Sequence, residues 1–204
     1  MREVTHENLT FARQLGVTSV QFNTPDLPKD TGAWELRDLL WLKERCSRYG
    51  LTVEALENVP VGFYDRAMLG LPGRDEQIEN YRKTIRNMGE AGIPNLGYHW
   101  MPNGVWRTSV TTAGRGGAAV TAFDLDTSDD ELPIGAREPG PSEAHGRSFS
   151  AADMWANYEY FMKAVLPVAE EAGVTLCLHP NDPPVSELGG IARIFNRFEG
   201  FKRA

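Results

Sequence analysis

One pattern of hydrophobic and polar positions recurs four times: a helical stretch, a glycine, then a short apolar run. The junctions are Gln14-Leu15-Gly16-Val17, Arg48-Tyr49-Gly50-Leu51, Glu90-Ala91-Gly92-Ile93 and Glu171-Ala172-Gly173-Val174. Glycine just past a helix takes the left-handed conformation that ends it, so the chain turns out into a strand. The pattern predicts strands over residues 17–23, 51–58, 93–100 and 174–179. Between them, Leu36, Leu39, Leu40, Cys46 and Tyr49 share one helical face. Ile78, Tyr81, Ile85 and Met88 share a second, and Met154, Tyr158, Phe161, Val165 and Ala169 a third.

Short strands alternating with helices argue for a parallel sheet with right-handed crossovers. A doubly wound sheet and a (β/α)8 barrel both satisfy that alternation. The strand ends favour the barrel, because each carries chemistry-capable side chains: Gln21 and Asn23, Glu54 and Glu57, His99, and His179. Polar groups at the C-terminal ends of successive strands are what a barrel active site needs. No glycine-rich phosphate loop follows any strand, which disfavours the nucleotide-binding form of the doubly wound sheet. The expected fold is α/β, of the (β/α)8 TIM-barrel type. A full barrel takes eight strands and about 250 residues. Residues 1–204 therefore read as a single domain holding about the first four βα units, a half-barrel fragment.

Two stretches depart from the repeat. Residues 101–150 hold Gly114, Gly116 and Gly117, then Asp124, Asp126, Asp129, Asp130 and Glu131, then Pro133, Pro139 and Pro141. That is too long for a routine connection, so an active-site loop or insertion is expected, with a solvated surface loop as the alternative. After Pro184, Ile191, Ile194, Phe195, Phe198 and Phe201 recur at helical spacing, with Arg193, Arg197 and Lys202 between them. The expectation is an amphipathic helix whose apolar face needs a partner. Together with open sheet edges it predicts a homo-oligomer.

Composition narrows the classes. With 41% hydrophobic and 24% charged residues, 204 residues can bury one substantial core. A net charge of −7 argues against nucleic acid or an anionic membrane as partner, since both call for a basic surface. No run approaches transmembrane length and the first residues lack a signal-peptide core, so a cytoplasmic location is expected. Cys46 and Cys177 are too few for a disulfide framework and read as packing thiols in a reducing compartment.

The candidate chemistry centres on Leu178-His179-Pro180-Asn181-Asp182-Pro183-Pro184. Pro180 pushes His179 into extended geometry, and Pro183 and Pro184 stiffen the following turn. Such a site can aim an imidazole for metal ligation or proton transfer, and a structural histidine at a strand end is the alternative. His99, in Gly97-Tyr98-His99-Trp100-Met101-Pro102, ends the third strand and reads as catalytic or as a hydrogen-bonded packing residue. Strict alternation puts Glu54 and Glu57 on opposite faces of the second strand, which makes Glu57 the better catalytic candidate. Trp106-Arg107-Thr108 offers a stacking surface and a bidentate carboxylate clamp, or simply an exposed loop arginine. His6 and His145 read as surface residues.

Three segments together resemble one family, the D-mannonate dehydratases, within the xylose isomerase-like barrel superfamily. They are Arg74-Asp75-Glu76-Gln77-Ile78-Glu79-Asn80-Tyr81, running on to Met88; Tyr98-His99-Trp100-Met101-Pro102 with Trp106-Arg107-Thr108; and the His179 motif, continued by Gly190-Ile191-Ala192-Arg193-Ile194. Order and spacing follow the family over nearly the whole chain, residues 113–148 excepted. The resemblance implies a metal-dependent hydro-lyase, using Mn2+ or Fe2+, that converts D-mannonate to 2-dehydro-3-deoxy-D-gluconate in hexuronate breakdown.

It also implies that His179 is the first of four metal ligands, a histidine, a cysteine, a second histidine and an aspartate from successive later strands. The other three have no counterpart here, and Cys177, two residues before His179, is not the matching cysteine. Trp106, Arg107 and Asp182 are the expected substrate contacts. The chain departs from the family in having His99-Trp100 for the common Asn-Phe, Val105 before Trp106, and Asn181 for a common aspartate. A sugar isomerase or epimerase of the same superfamily, and a non-catalytic self-associating half-barrel, stay open as other readings.

Overall fold

The computed structural model describes residues 1, 3–127, 141, 144 and 146–204. The predicted acidic residues Asp129, Asp130 and Glu131, with Pro133, Pro139 and His145, lie outside them. The helix–glycine–strand junctions form as expected. Gly92 and Gly173 each take φ +66° and close the two long helices, α4 (Arg74–Ala91) and α5 (Ala151–Ala172). The other helices of the repeat are α1 (His6–Gln14) and α2 (Leu36–Ser47), with a short α3 (Asp65–Leu69) ahead of α4. At the start of α5, the Ser150 hydroxyl accepts from the Asp153 N–H while the Asp153 carboxylate accepts from the Ser150 N–H, a reciprocal cap.

Four strands pair in parallel in the order β1 (Ser19–Asn23), β2 (Thr52–Glu57), β3 (Asn95–Tyr98), β6 (Thr175–Leu178). Phe22, Val53, Leu56, Leu96 and Tyr98 are buried on the face covered by the helices. The opposite face carries Ser19, Gln21, Thr52, Glu54, Thr175, Cys177 and His179, all exposed. Each strand thus has a core face and an open polar face, by alternation with period two in β1, β3 and β6. The second and third helical faces are buried as the spacing predicts. On α2 the stripe is Leu39, Leu42 and Cys46, whereas Leu40, one position off it, is 47% exposed.

Between β3 and α5, residues of the insertion form an antiparallel hairpin, β4 (Ser109–Ala113) and β5 (Ala119–Ala122). The amphipathic helix expected after Pro184 is not there. The Gly189-Gly190 pair, at φ +55° and +76°, instead turns β7 (Glu187–Leu188) into β8 (Ile191–Ala192). Ile191 also bridges to Phe149, and Phe195 is wedged against Trp155 and Tyr158, ring centroids 5.3 and 4.9 Å apart. Burial in the main core outweighs a local helical spacing here. Only α6 (Phe198–Arg203) is helical, and Phe198 is 75% exposed, so no continuous apolar stripe exists. Among the described residues no helix is long and apolar enough to cross a membrane.

Helices α4 and α5 meet at Gly89, where a Cβ would lie 2.4 Å from the Ala172 carbonyl oxygen. Gly89→Ala should gain about 1 kcal/mol of helix propensity yet cost more through that backbone contact. The expected outcome is a net loss of about 1–3 kcal/mol, read as a lower urea midpoint.

Candidate functional site

The C-terminal strand ends and the open sheet face form a groove of about 630 Å3, lined among others by Gln21, Glu54, Glu57, Asn95, Cys177 and His179. Glu54 and Glu57 were expected on opposite faces of β2, and the register corrects that. Val20 pairs with Val53 but Gln21 pairs with Ala55, so one extra residue is inserted in β2. Such a bulge steps the alternation by one position. Val53 and Leu56 both face the core, while Glu54 and Glu57 both line the groove.

Glu57 is held from two sides. The Gln21 side-chain amide donates to its carboxylate, and Gly97, its neighbour on β3, leaves the room it occupies. A Cβ at position 97 would come within 3.1 Å of the Glu57 Cα and Cγ. Just beyond, Thr24 and Asn58 take φ +43° and +59°. Positive φ is rare for a β-branched residue and costs on the order of 1–3 kcal/mol. The Thr24 N–H donates to the Glu57 carbonyl at 2.7 Å and its hydroxyl to the Asn58 carbonyl at 2.8 Å, which holds this geometry at the mouth of the groove.

The two strand-end histidines have opposite characters. His179 is exposed, and its Nδ1 lies 2.7 Å from the Pro180 carbonyl oxygen. A carbonyl only accepts, so Nδ1 carries a proton, and in the neutral ring Nε2 keeps its lone pair for a metal or a proton. His99 is buried at 7% exposure, and its Nδ1 accepts from the Met101 N–H at 3.3 Å, which leaves the proton on Nε2. Burial first, then the neighbouring charges of His179 and Arg193, bring its pKa down from 6.5 to about 4. His99 is therefore a neutral imidazole at ordinary pH, backed by the Tyr64 hydroxyl donating to its carbonyl at 2.8 Å.

The other predicted residues meet in a second cluster, where the loop after β3 touches the loop after β6. Trp106 is 2% exposed and donates its indole N–H to the Asn103 carbonyl at 3.0 Å. Arg107 grips Asp182 with two hydrogen bonds of 2.7 and 2.5 Å. Beneath them lies Arg193, 2% exposed, donating to Asn103 Oδ1 at 3.0 Å and the Gly104 carbonyl at 2.9 Å. Burial brings its pKa down to about 10. Asn181 is pinned to the core: its N–H donates to the Phe195 carbonyl at 3.0 Å, and its Oδ1 accepts from the Phe195 N–H at 2.6 Å.

Arg193 and Asn103 gave no sign of this role in the sequence, since Arg193 read as the polar face of a helix that does not form. Asn181 was noted in the sequence only as a departure from the family's common aspartate. His6 lies on the surface as expected, its Nδ1 2.7 Å from the Tyr49 hydroxyl. For a metal, His179 supplies one free nitrogen. Among the described residues no three His, Cys, Asp or Glu side chains gather to complete a site.

A parallel sheet with helices on one face and polar strand ends defines an α/β protein. An L-ribulose 3-epimerase structure covers 99% of this chain and 52% of its own at 16% identity and a TM-score of 0.50, a likeness of fold alone. The family model for D-mannonate dehydratase (UxuA) matches residues 3–204, and the chain belongs to that family. Mannonate dehydratase from Streptococcus pneumoniae (strain 70585) is 37% identical over 186 residues, which are 84% of this chain and 50% of that protein. The counterpart from Oceanobacillus iheyensis is 35% identical over 184 residues, 83% of this chain and 52% of that one. The crystal structure of mannonate dehydratase from Streptococcus suis serotype 2 superposes at a TM-score of 0.79 and 36% identity, covering 96% of this chain and 54% of its own. The chain spans about half the length of the curated relatives it matches.

The buried neutral His99 has a consequence for stability. As pH falls, the unfolded chain takes up this proton near 6.5 and the folded chain only near 4. Stability is therefore fullest above about 6.5 and declines toward 4, by on the order of 3 kcal/mol in all. Urea midpoints across that window should fall for the native sequence. In His99→Gln, which does not titrate, that part of the decline should be missing.

Proposed function

We propose that this chain supplies the first half of a D-mannonate dehydratase barrel, a hydro-lyase converting D-mannonate to 2-dehydro-3-deoxy-D-gluconate in hexuronate breakdown. The observation that carries the reading is His179. It stands at the end of β6 with Nε2 free and facing the open polar side of the sheet, inside a match that runs over residues 3–204. Its partners would be a sugar acid and, in keeping with the exposed Phe198 and the net charge of −7, another copy of the chain rather than nucleic acid or membrane.

The chemistry requires a base and an acid. The C2 proton of a sugar acid is weakly acidic, so a base must take it. The C3–O bond must then break with a proton delivered to the departing hydroxyl, releasing water and an enol that becomes the 2-keto acid. Glu57, fixed by Gln21 and Gly97 and facing the groove, is the candidate to accept the proton. His99, the other candidate, is buried and neutral with its proton on Nε2, so it can donate a hydrogen bond but not give up that proton, and the acid for the departing hydroxyl would be another group. A divalent cation, Mn2+ or Fe2+, would add Lewis acidity at the carboxylate and C2 hydroxyl. His179 fits one coordination position for it, and the described residues do not fit a whole site. The remaining ligands belong to residues other than these.

Within a polypeptide of the relatives' full length, purified with Mn2+, the chain should form 2-dehydro-3-deoxy-D-gluconate from D-mannonate. His179→Ala should lower turnover by more than roughly a hundredfold and weaken Mn2+ binding in an EPR titration. Metal binding unchanged by that substitution would remove the ligand assignment. Product formed by residues 1–204 alone would overturn the half-barrel reading.

A further inference from the structure

Arg107 has the geometry of a carboxylate clamp, and the clamp is already closed on the chain's own carboxylate. A guanidinium has five N–H donors. Here Nε donates to the Thr121 hydroxyl at 3.2 Å, and Nη1 to Asp182 Oδ1 at 2.7 Å and to the Trp106 carbonyl at 2.9 Å. Nη2 donates to Asp182 Oδ2 at 2.5 Å. One N–H is left, too few for the two parallel bonds by which arginine holds a second carboxylate. Each Asp182 oxygen receives one of these bonds and keeps one lone pair. The side chains are 20% and 34% exposed, so the pair is partly shielded from the water that weakens surface ion pairs.

The pair spans two segments that sequence separates by 75 residues. Arg107 leads into β4, and Thr121 on β5 shares its guanidinium, so the whole hairpin is gripped. Asp182 lies three residues beyond His179, in a loop that is also fastened on its inner side. There Asn181 is bonded to Phe195, and the Asp182 carbonyl accepts from Arg193 at 3.4 Å. Arg107 is the outer fastening.

We infer that Arg107 and Asp182 are positioning residues: their bidentate pair docks the β4–β5 hairpin onto the loop that carries His179, and neither receives the carboxylate of the substrate. The positioning role depends on the dehydratase reading only where a sugar acid is added.

Hydrogen exchange of residues 1–204 tests the docking without turnover. Arg107→Ala and Asp182→Ala should each raise amide exchange across residues 109–122 by about tenfold and leave β2, residues 52–57, unchanged. The double variant should add nothing to either single, because the two act as one unit. Exchanging the partners, Arg107→Asp with Asp182→Arg, should recover part of the protection. Imidazole nitrogen NMR should show His179 in one tautomer in the native chain and averaging between two in the single variants. Should an alanine variant loosen β2 as well, Asp182→Asn, which keeps the shape and loses the charge, decides between docking and general unfolding.

Unchanged hairpin exchange in the single variants would overturn the inference. So would D-mannonate raising hairpin exchange in the native chain while shifting the Arg107 Nε resonance, because the sugar acid would then have displaced Asp182. Silence toward D-mannonate with the hairpin response intact would count against the substrate alone and leave the docking in place.

Discussion

In a parallel sheet covered on one side, every strand must keep its apolar side chains toward the helices. In β2 that demand is met by inserting one residue, so that Val53 and Leu56 both reach the core. The cost of the insertion is an irregular ladder; its result is that Glu54 and Glu57 come to the same side. The open face owes its two carboxylates to a packing requirement on the opposite face. Glu57 then has Gly97 beside it on β3 and the Gln21 side chain reaching it from β1, where Gln21 pairs with Ala55 and Asn23 with Glu57.

Much of this architecture could be read from the chain. Glycines after helices located each strand start, and proline after His179 fixed the place of the exposed imidazole. The helical faces of α4 and α5 were plain because long amphipathic segments carry many independent positions. What escaped were features that exist only once strands pair or segments meet. A bulge is invisible to alternation counted along one strand. The spacing from Ile191 to Phe201 fits a helix, but Phe195 has a place between Trp155 and Tyr158 that a helix could not let it take. Arg193 is the sharpest case, since a cation flanked by apolar residues reads as solvent-facing. Here Asn103 and the Gly104 carbonyl give it partners indoors.

The candidate site was legible as a list of residues and not as a grouping. His179 and Glu57 share a groove, as their positions at strand ends suggested. Trp106, Arg107 and Asp182 cluster too, but around the Arg107 guanidinium, four of whose five N–H donors are taken. Residue type announced a clamp, and only the geometry shows what lies in it.

The reciprocal bonds between Asn181 and Phe195 tie the loop to the centre of the core. Order at the mouth of the groove and cohesion of the interior are therefore a single cooperative property. Whatever seats on His179 and steadies its loop also raises the resistance of the whole domain to heat, by the free energy with which it prefers the folded chain. A melting curve then becomes a binding assay, able to rank metals and sugar acids before any of them has been seen to react.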